Sequence, residues 1–235
     1  MTIYGKNPAM EVLRSKKKVT KAYVTKATLE LIKPYSKQIG EVQVIDTVKM
    51  AKQFGDKTQG IVLEIAEYKY ADLNKVLKRV EDKENVTLVI LNSLEDPHNL
   101  GAILRSADAT GVDGIIIPKN RSVRLNDTVA KVSTGAIEHV DVCEVTNLNM
   151  TINDLKDKGF WVIGLELDGT IDYREQDYKG KIAVVVGSEG RGISKLVKEN
   201  CDFLVRIPMY GKVNSLNASV SAGLLLYQIL TSRGL

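Results

Sequence analysis

Residues that bind metals or cross-link small domains are scarce in this 235-residue chain. It has two histidines and two cysteines, Cys143 and Cys201, at spacings that do not match a zinc site. Two cysteines also argue against a disulfide framework and fit small buried thiols in a reducing compartment. No apolar run approaches the roughly 20 residues that a membrane-spanning helix needs, and the first residues show no apolar signal core. The composition therefore predicts a metal-free cytoplasmic protein that does not enter a membrane.

Positive charge is concentrated near the N-terminus. Residues 1–57 contain 12 Lys and Arg against 5 Asp and Glu, a net +7, whereas residues 58–235 contain 21 against 24, a net −3. The excess includes the lysine run 16–18. A basic region beside a near-neutral one is typical of an RNA-binding module on a catalytic domain, but a solvated lysine face gives the same count. Charge alone leaves both interpretations open.

Hydrophobic patterning predicts two α/β domains joined by a linker. Residues 1–66 read as a small N-terminal domain, the polar and charged stretch 67–84 as a linker, and residues 85–235 as a larger domain. In the larger domain, strand-like runs alternate with helical patterns, which favours a mainly parallel sheet with helices on both faces. The predicted strands are 86–91, 114–117, 139–142, 160–165, 182–186 and 203–207.

Three polar, glycine-bearing blocks interrupt the larger domain. They are residues 99–105 (Asn-Leu-Gly-Ala-Ile-Leu-Arg), 187–192 (Gly-Ser-Glu-Gly-Arg-Gly) and 207–219 (Ile-Pro-Met-Tyr-Gly-Lys-Val-Asn-Ser-Leu-Asn-Ala-Ser). Each follows a predicted strand and leads toward a helix. Because open parallel sheets bind ligands at the carboxyl ends of their strands, the three blocks predict one shared site.

The second block has glycines at G-x-x-G-x-G spacing, which is neither a dinucleotide fingerprint nor a phosphate loop. Its glycines allow a tight turn or the close approach of a ligand, and either would explain them. Glu189 could accept hydrogen bonds from ligand hydroxyl or amine groups, and its charge would repel a polyphosphate.

The third block combines apolar and polar side chains at a predicted helix start. Ile207, Met209 and Leu216 could line an adenine pocket of the mostly apolar kind found at cofactor sites. Ser215 and Asn217 belong to a set of Ser and Asn residues larger than helix capping requires.

The first block predicts an anion contact. Asn99 is expected to cap a helix, and Arg105 to direct its long side chain back toward the N-terminal end of that helix. Amides at a helix N-terminus and a guanidinium both favour phosphate. The alternative is a surface arginine paired with Asp96 or Asp108.

In these three blocks, the chain resembles the SpoU (TrmH) family of RNA ribose 2′-O-methyltransferases, within the SPOUT superfamily. Residues 96–105, 187–192 and 207–219 resemble its three motifs in order, and the resemblance covers about residues 84–235. Residues 131–139 and the extra N-terminal domain look most like the branch that methylates a guanosine of 23S ribosomal RNA.

The resemblance implies a cofactor, a partner and a set of roles. It implies S-adenosylmethionine bound in a C-terminal trefoil knot, RNA bound by a ribosomal-protein-like N-terminal domain, and a homodimer whose site is completed across the interface. The cofactor-binding residues would be Gly187, Ser188, Ile207, Met209 and Leu216. The catalytic residues would be Asn99, Arg105, Glu189, Ser215 and Asn217.

Other functions stay open at this point. One is the same reaction on transfer RNA or at another ribosomal RNA site, and another is a non-catalytic RNA-binding or ribosome-assembly protein. Arg105 is a poor base because guanidinium holds its proton tightly. We therefore expect it to bind a neighbouring phosphate and to stabilise the developing alkoxide.

Overall fold

A computed structural model describes residues 2–14, 17–66 and 68–234. The chain divides into two compact units, Met1–Lys69 and Tyr70–Leu235, each with its own core. Lys16, part of the predicted basic run, lies outside the described residues.

The N-terminal unit is a four-stranded mixed sheet with short helices. Its elements are β1 (Thr2–Tyr4), α1 (Lys6–Arg14), β2 (Val19–Val24), α2 (Leu29–Ile32), β3 (Ile39–Val44), α3 (Thr47–Phe54) and β4 (Ile61–Ile65). A 3-10 helix, Lys33–Gln38, follows α2. The strand order is β1-β4-β2-β3, with β2 and β3 parallel and the other pairs antiparallel. The core of the unit contains Leu13, Val24 and Leu63, all fully buried.

Part of the N-terminal lysine excess is engaged within the unit. Lys21 pairs with Glu41 at 2.7 Å. The ammonium of Lys17 lies 4.5 Å from the centre of the Tyr68 ring, a cation–π distance. Side chains of the same unit therefore hold two of its lysines, whereas the net charge of residues 1–57 stays +7, because that count already includes Glu41.

The second unit alternates strands and helices along the chain. Its first elements are α4 (Leu73–Arg79), β5 (Val86–Asn92), α5 (Pro97–Ala109), β6 (Gly114–Pro118), α6 (Asp127–Ser133) and β7 (Val142–Val145). The remaining ones are α7 (Leu148–Asp157), β8 (Trp161–Leu165), β9 (Ile171–Asp172), β10 (Lys181–Gly187), α8 (Lys195–Glu199), β11 (Phe203–Arg206) and α9 (Ala218–Ser232). The described strands form a sheet of order β7-β6-β5-β10-β8-β11-β9 in which every pair is parallel. The predicted parallel sheet is confirmed.

Helices cover both faces of this sheet, as predicted. Along β5, Val89 and Leu91 face one core, which also contains apolar residues of α5, α6 and α9. Leu88 and Ile90 face a second core with residues of α4, α7 and α8. Alternate residues of a strand point to opposite faces, which explains why residues 88–91 in the middle of β5 are all apolar.

Two sequence expectations differ from the structure. The stretch 67–84 contains α4, whose Val76 is 2% exposed in the core of the second unit, and the units divide after Lys69. Residues 70–84 are therefore part of the second unit, because the thin apolar stripe of α4 is sufficient to bury one face. The strand predicted at 139–142 is wrong, since β7 begins at Val142 and a 3-10 helix, Ala136–Glu138, precedes it.

Both cysteines are unpaired thiols shielded by the second unit. Cys143 is buried and Cys201 is half-buried. Burial raises the pKa of each thiol to about 12, so both are protonated near neutral pH. Among the described residues, no helix has the length and apolar character to span a membrane.

Arg233 attaches the end of α9 to the amino ends of two central strands. Its guanidinium donates to the backbone oxygens of Tyr178, Val86 and Gly180 at 2.9, 3.2 and 3.0 Å, and to Thr87 Oγ1 at 2.8 Å. The side chain is partly buried, and this burial lowers its pKa. The cation thus replaces its water shell with protein acceptors.

We expect Arg233→Ala to lower the free energy of unfolding by about 2 kcal/mol, because buried carbonyls lose a charged donor. Urea denaturation measures this, and the exposed Lys179→Ala in the same unit is the control. Equal stability of the two variants would contradict the role given to Arg233.

Candidate functional site

The three blocks meet at one edge of the parallel sheet. The first block lies in α5 after β5, the second begins at the end of β10, and the third follows β11 and leads into α9. Strands β5, β10, β8 and β11 are consecutive in the sheet. Their carboxyl ends therefore bring the blocks together, as the sequence predicts.

The Glu189 carboxylate joins the three blocks through hydrogen bonds. Its Oε1 accepts from Asn99 Nδ2 at 3.2 Å, from the Ala218 backbone nitrogen at 3.2 Å and from Asn217 Nδ2. Asn217 Nδ2 also donates to Asn99 Oδ1 at 2.9 Å. One side chain from each block thus takes part in a closed network.

The two amides of this network differ in how the backbone positions them. Asn217 caps α9, where its Oδ1 accepts from the Ser219 and Val220 backbone nitrogens at 3.0 and 3.3 Å. Asn99 does not cap α5 as expected, because Asp96 holds that position and accepts from the His98 nitrogen at 2.9 Å. Asn99 lies inside the first turn instead, where its side chain bonds the network.

Residues 187–192 form a tight loop that closes on itself. Ser188 and Gly192 exchange two backbone hydrogen bonds, of 3.2 and 2.9 Å. A Cβ at Gly187 would lie 2.2 Å from the Gly192 carbonyl carbon, and Gly190 and Gly192 have φ of +78° and +63°. The fold itself requires these glycines, so they are not evidence of a ligand. The informative residue of the block is Glu189.

Two residues outside the blocks support this loop. Glu166, directly after β8, accepts from the Ile193 backbone nitrogen. Asn92, at the end of β5, accepts from the Ser194 nitrogen at 2.6 Å. Sequence reasoning missed both, although each is a polar residue at the carboxyl end of a predicted apolar strand, and that position was a usable signal.

An open cleft, here called the cofactor cleft, lies over the ends of β8, β10 and β11. It brings together all five predicted cofactor residues and two of the predicted catalytic ones, Ser215 and Glu189. The five are Gly187, Ser188, Ile207, Met209 and Leu216. Ser221, from the predicted set of Ser and Asn residues, also lines the cleft, and the sequence missed further lining residues, chiefly Leu165 and Leu167. The lining is apolar on several sides, with hydroxyl and carboxylate groups between, a composition that suits a small organic cofactor.

A second cleft adjoins the first on the β5 side. It is lined by Ser93, Leu94, Glu95, Asp96, Asn99, Ser188, Glu189 and Arg191. Glu189 lines both clefts, so a group bound in one lies next to a group bound in the other. Three of these lining side chains are carboxylates and one, Arg191, is a cation, so the net negative charge of the lining makes this cleft unfavourable for phosphate.

Arg105 stands apart from the network. It is exposed on the outer side of α5 and does not line either cleft. No ion pair joins it to an acidic residue in the described part of the chain, so the pairing with Asp96 or Asp108 is not observed. Its neighbour Ser106 faces α9, where a Cβ at Gly223 would lie 3.5 Å from the serine hydroxyl.

One carboxylate beyond the network has a strongly shifted pKa. Arg174 donates to Asp172 at 2.9 and 2.6 Å and lowers the pKa of that carboxyl to about 2. Asp172 lies on β9, which pairs with β11 just before the third block. This carboxylate is therefore committed to an ion pair at neutral pH. The described residues contain no group of three or more His, Cys, Asp and Glu side chains arranged to hold a metal.

Comparison with protein families matches both parts of the chain. Residues 86–227 match the SpoU rRNA methylase family. Residues 2–71 match a family described as RNA 2′-O ribose methyltransferase substrate binding.

Two curated relatives are similar over most of their length. YacO of Bacillus subtilis (strain 168), assigned to the TrmH family of tRNA/rRNA methyltransferases, is 45% identical over 237 residues, covering 98% of this chain and 95% of that protein. A protein of Staphylococcus aureus (strain COL) assigned to the same family is 53% identical over 205 residues. The match covers 87% of this chain and 83% of that protein.

Solved structures show the same fold. The SpoU methyltransferase AviRb from Streptomyces viridochromogenes, solved with AdoMet, has a TM-score of 0.66 at 20% identity, covering 99% of this chain and 90% of that one. The TrmH/SpoU tRNA modifying enzyme of A. aeolicus has a TM-score of 0.59 at 29% identity. The match covers 69% of this chain and 84% of that one. The motifs, the parallel sheet and these matches together establish that the chain belongs to the SpoU (TrmH) family of RNA methyltransferases.

Proposed function

We propose that this protein uses S-adenosylmethionine to methylate a ribose 2′-hydroxyl in RNA. The observation that carries the proposal is the network of Asn99, Glu189 and Asn217, which lies where two clefts meet. A methyl transfer between two bound molecules needs adjoining pockets whose occupants touch. The cofactor cleft would hold the donor, and the second cleft the target nucleotide.

The cofactor cleft fits S-adenosylmethionine by its chemistry. Ile207, Met209 and Leu216 offer an apolar wall for the adenine, and the hydroxyls of Ser188 and Ser215 can bond the polar groups of the cofactor. Carboxylates in the lining favour a cation and would repel a nucleotide phosphate. When bound, S-adenosylmethionine supplies a methyl group on a sulfonium that already carries positive charge, so the transfer requires no metal.

Activation of the ribose hydroxyl is the remaining requirement. We assign to Arg105 the stabilisation of the developing alkoxide, together with contact to the neighbouring phosphate, since its proton is held too tightly for a base. Because Arg105 faces away from the clefts of its own chain, we propose that it serves the site of a second copy. Asn99, Glu189, Ser215 and Asn217 would then position the target and the donor.

Arg105→Ala should keep cofactor binding and lose methyl transfer, by on the order of a hundred- to thousand-fold in rate. Calorimetry with S-adenosylmethionine measures cofactor binding, and transfer of a labelled methyl group to RNA measures the reaction rate. Lys131→Ala, on the neighbouring helix α6, is the control. Near-normal turnover of Arg105→Ala would overturn its assignment, and loss of cofactor binding would point to a structural role.

A homodimer is consistent with an apolar stripe on α9. Val220, Leu224 and Tyr227 are 49%, 40% and 53% exposed, on the side of the helix opposite its buried residues. Spacing of four and three residues aligns them on one face. We propose that this stripe packs against a second copy and brings Arg105 of each subunit to the other's clefts.

Leu224→Glu combined with Tyr227→Glu should convert the dimer to a monomer and reduce methyl transfer as strongly as Arg105→Ala does, because buried carboxylates would be unpaired at the interface. Sedimentation measures the mass. Leu196→Glu, on the well-exposed side of α8, is the control and should leave the mass unchanged. A fully active monomer would exclude a shared site.

For the substrate, we propose a guanosine of 23S ribosomal RNA, methylated in the cytoplasm. The N-terminal unit supports this proposal, because it matches a substrate-binding family and carries the basic excess. Residues 1–66 would bind the RNA and residues 85–235 would carry out catalysis, with a trefoil knot in the C-terminal third as the family resemblance implies. The competing substrate is transfer RNA, because the A. aeolicus relative is described as a tRNA modifying enzyme.

Mapping 2′-O-methyl groups in cells with and without this protein distinguishes these substrates. We expect one guanosine of 23S ribosomal RNA to lose its methyl group when the gene is deleted. A change confined to transfer RNA would overturn the substrate proposal and leave the reaction intact. An unchanged map, together with no binding of S-adenosylmethionine, would favour a non-catalytic RNA-binding protein.

A further inference from the structure

The loop between β6 and α6 is strongly basic. Residues 119–126, here called the basic loop, read Lys-Asn-Arg-Ser-Val-Arg-Leu-Asn and contain three cations and no acid. Lys119, Arg121 and Arg124 are all exposed. The sequence blocks did not include this segment.

The backbone of the basic loop is attached to its surroundings at several points. The Lys119 nitrogen donates to the Val145 oxygen at 2.8 Å, and the Val123 nitrogen to the Leu94 oxygen at 2.7 Å. The Leu125 nitrogen donates to the Tyr70 hydroxyl at 3.0 Å, and Val123 is buried. The loop therefore displays its cations from a fixed backbone, which lowers the entropic cost of holding a ligand.

The arginines of the basic loop differ from other cations of this unit in their ion pairing. Arg79 pairs with Asp141, and Lys198 with Asp168, at 2.5 and 2.6 Å. No such ion pair involves Arg121 or Arg124 among residues 2–14, 17–66 and 68–234. Cations that the fold leaves uncompensated are available to an anionic partner.

The position of the basic loop relates it to the second cleft. Leu94, which bonds Val123, also lines that cleft, together with the carboxylates of Glu95, Asp96 and Glu189. The three carboxylates outweigh the one cation of this lining, Arg191, so the lining disfavours phosphate, whereas ribose hydroxyls and base N–H groups can donate to its carboxylates. An RNA strand that inserts one nucleotide there must leave its flanking phosphates outside, on the side where the basic loop lies.

We propose that Arg121 and Arg124, with Lys119 at the start of the loop, bind the phosphates next to the target nucleotide and so position its ribose. This proposal rests on the proposed function and assigns the basic loop to that same site. Arginine suits the task because its guanidinium can donate two parallel hydrogen bonds to one phosphate. The carboxylate-lined cleft and the cationic loop together match the alternation of neutral sugar and charged phosphate along RNA.

The test compares Arg121→Ala/Arg124→Ala with Lys158→Ala/Lys179→Ala, which removes the same charge from exposed positions near the amino ends of the strands. The probe is 23S ribosomal RNA transcribed in vitro, measured by filter binding over a range of salt concentrations and by methyl transfer. We expect the arginine variant to bind RNA more weakly than the control does. Its KM for RNA in methyl transfer should be higher than that of the wild type by about tenfold or more. The slope of log affinity against log salt should fall by about 1.4, for two lost contacts to single-stranded phosphates.

Two further measurements separate this role from a structural one. S-adenosylmethionine affinity should be equal in both variants and the wild type, and Arg121→Lys/Arg124→Lys should restore much of the salt slope, because lysine keeps the charge. Equal RNA affinity and slope in the arginine variant and its control would overturn the proposal. A wild-type protein that methylates no RNA would instead refute the proposed function, and the binding measurements would still test the loop.

Discussion

The arrangement of the site depends on one carboxylate that accepts hydrogen bonds from two other segments of the chain. Glu189 bonds Asn99 on α5, Asn217 at the start of α9 and the first backbone amide of that helix. Its negative charge lies at the N-terminus of α9, where the helix dipole favours an anion. Removing the carboxylate would take an acceptor away from both amides, so the geometry of both clefts depends on it.

The same carboxylate also limits what the clefts can bind. Glu166 and Glu189 line the cofactor cleft, and Glu95, Asp96 and Glu189 line the second, so carboxylates outnumber the one lining cation, Arg191. The exposed cations of the basic loop lie outside both linings. This distribution favours neutral or cationic groups inside and phosphates outside. Nucleotide-binding sites built on phosphate loops have the opposite arrangement, with amides and lysine at the centre.

The sequence predicted the parts of the fold that local patterning determines. Strands β5 and β10 contain the continuous apolar runs 88–91 and 182–186, and such runs leave little choice in a sheet covered on both faces. The meeting of the three blocks also followed, because parallel strands all end at the same edge. The strand predicted at 139–142 failed because Val140 and Val142 are buried in different local structures, and an apolar pattern does not distinguish them.

Two kinds of detail could not be predicted from the sequence. In one, two residues compete for the same helix-capping position, and in the other, residues distant in the sequence meet in space. Asp96 and Asn99 are both residue types that often cap helices. Pro97 favours the first helical position, which makes Asp96 the N-cap of α5. Glu166 and Asn92 support the loop after β10 from strands that are distant in sequence, so spacing carries no information about them. The outward direction of Arg105 depends on how α6 and α9 pack around α5, which is likewise a tertiary property.

The late position of α9 in the chain has a consequence for biosynthesis. This helix covers one face of the sheet, supplies Asn217 to the network and, through Arg233, closes the amino ends of β5 and β10. A growing polypeptide that has already paired β5 with β10 can cover part of that face with α5 and α6, but the part that α9 covers stays exposed until α9 leaves the ribosome. Synthesis at about 5–20 residues per second makes this interval a matter of seconds. The second unit is therefore most open to aggregation and to chaperones just before its last helix docks.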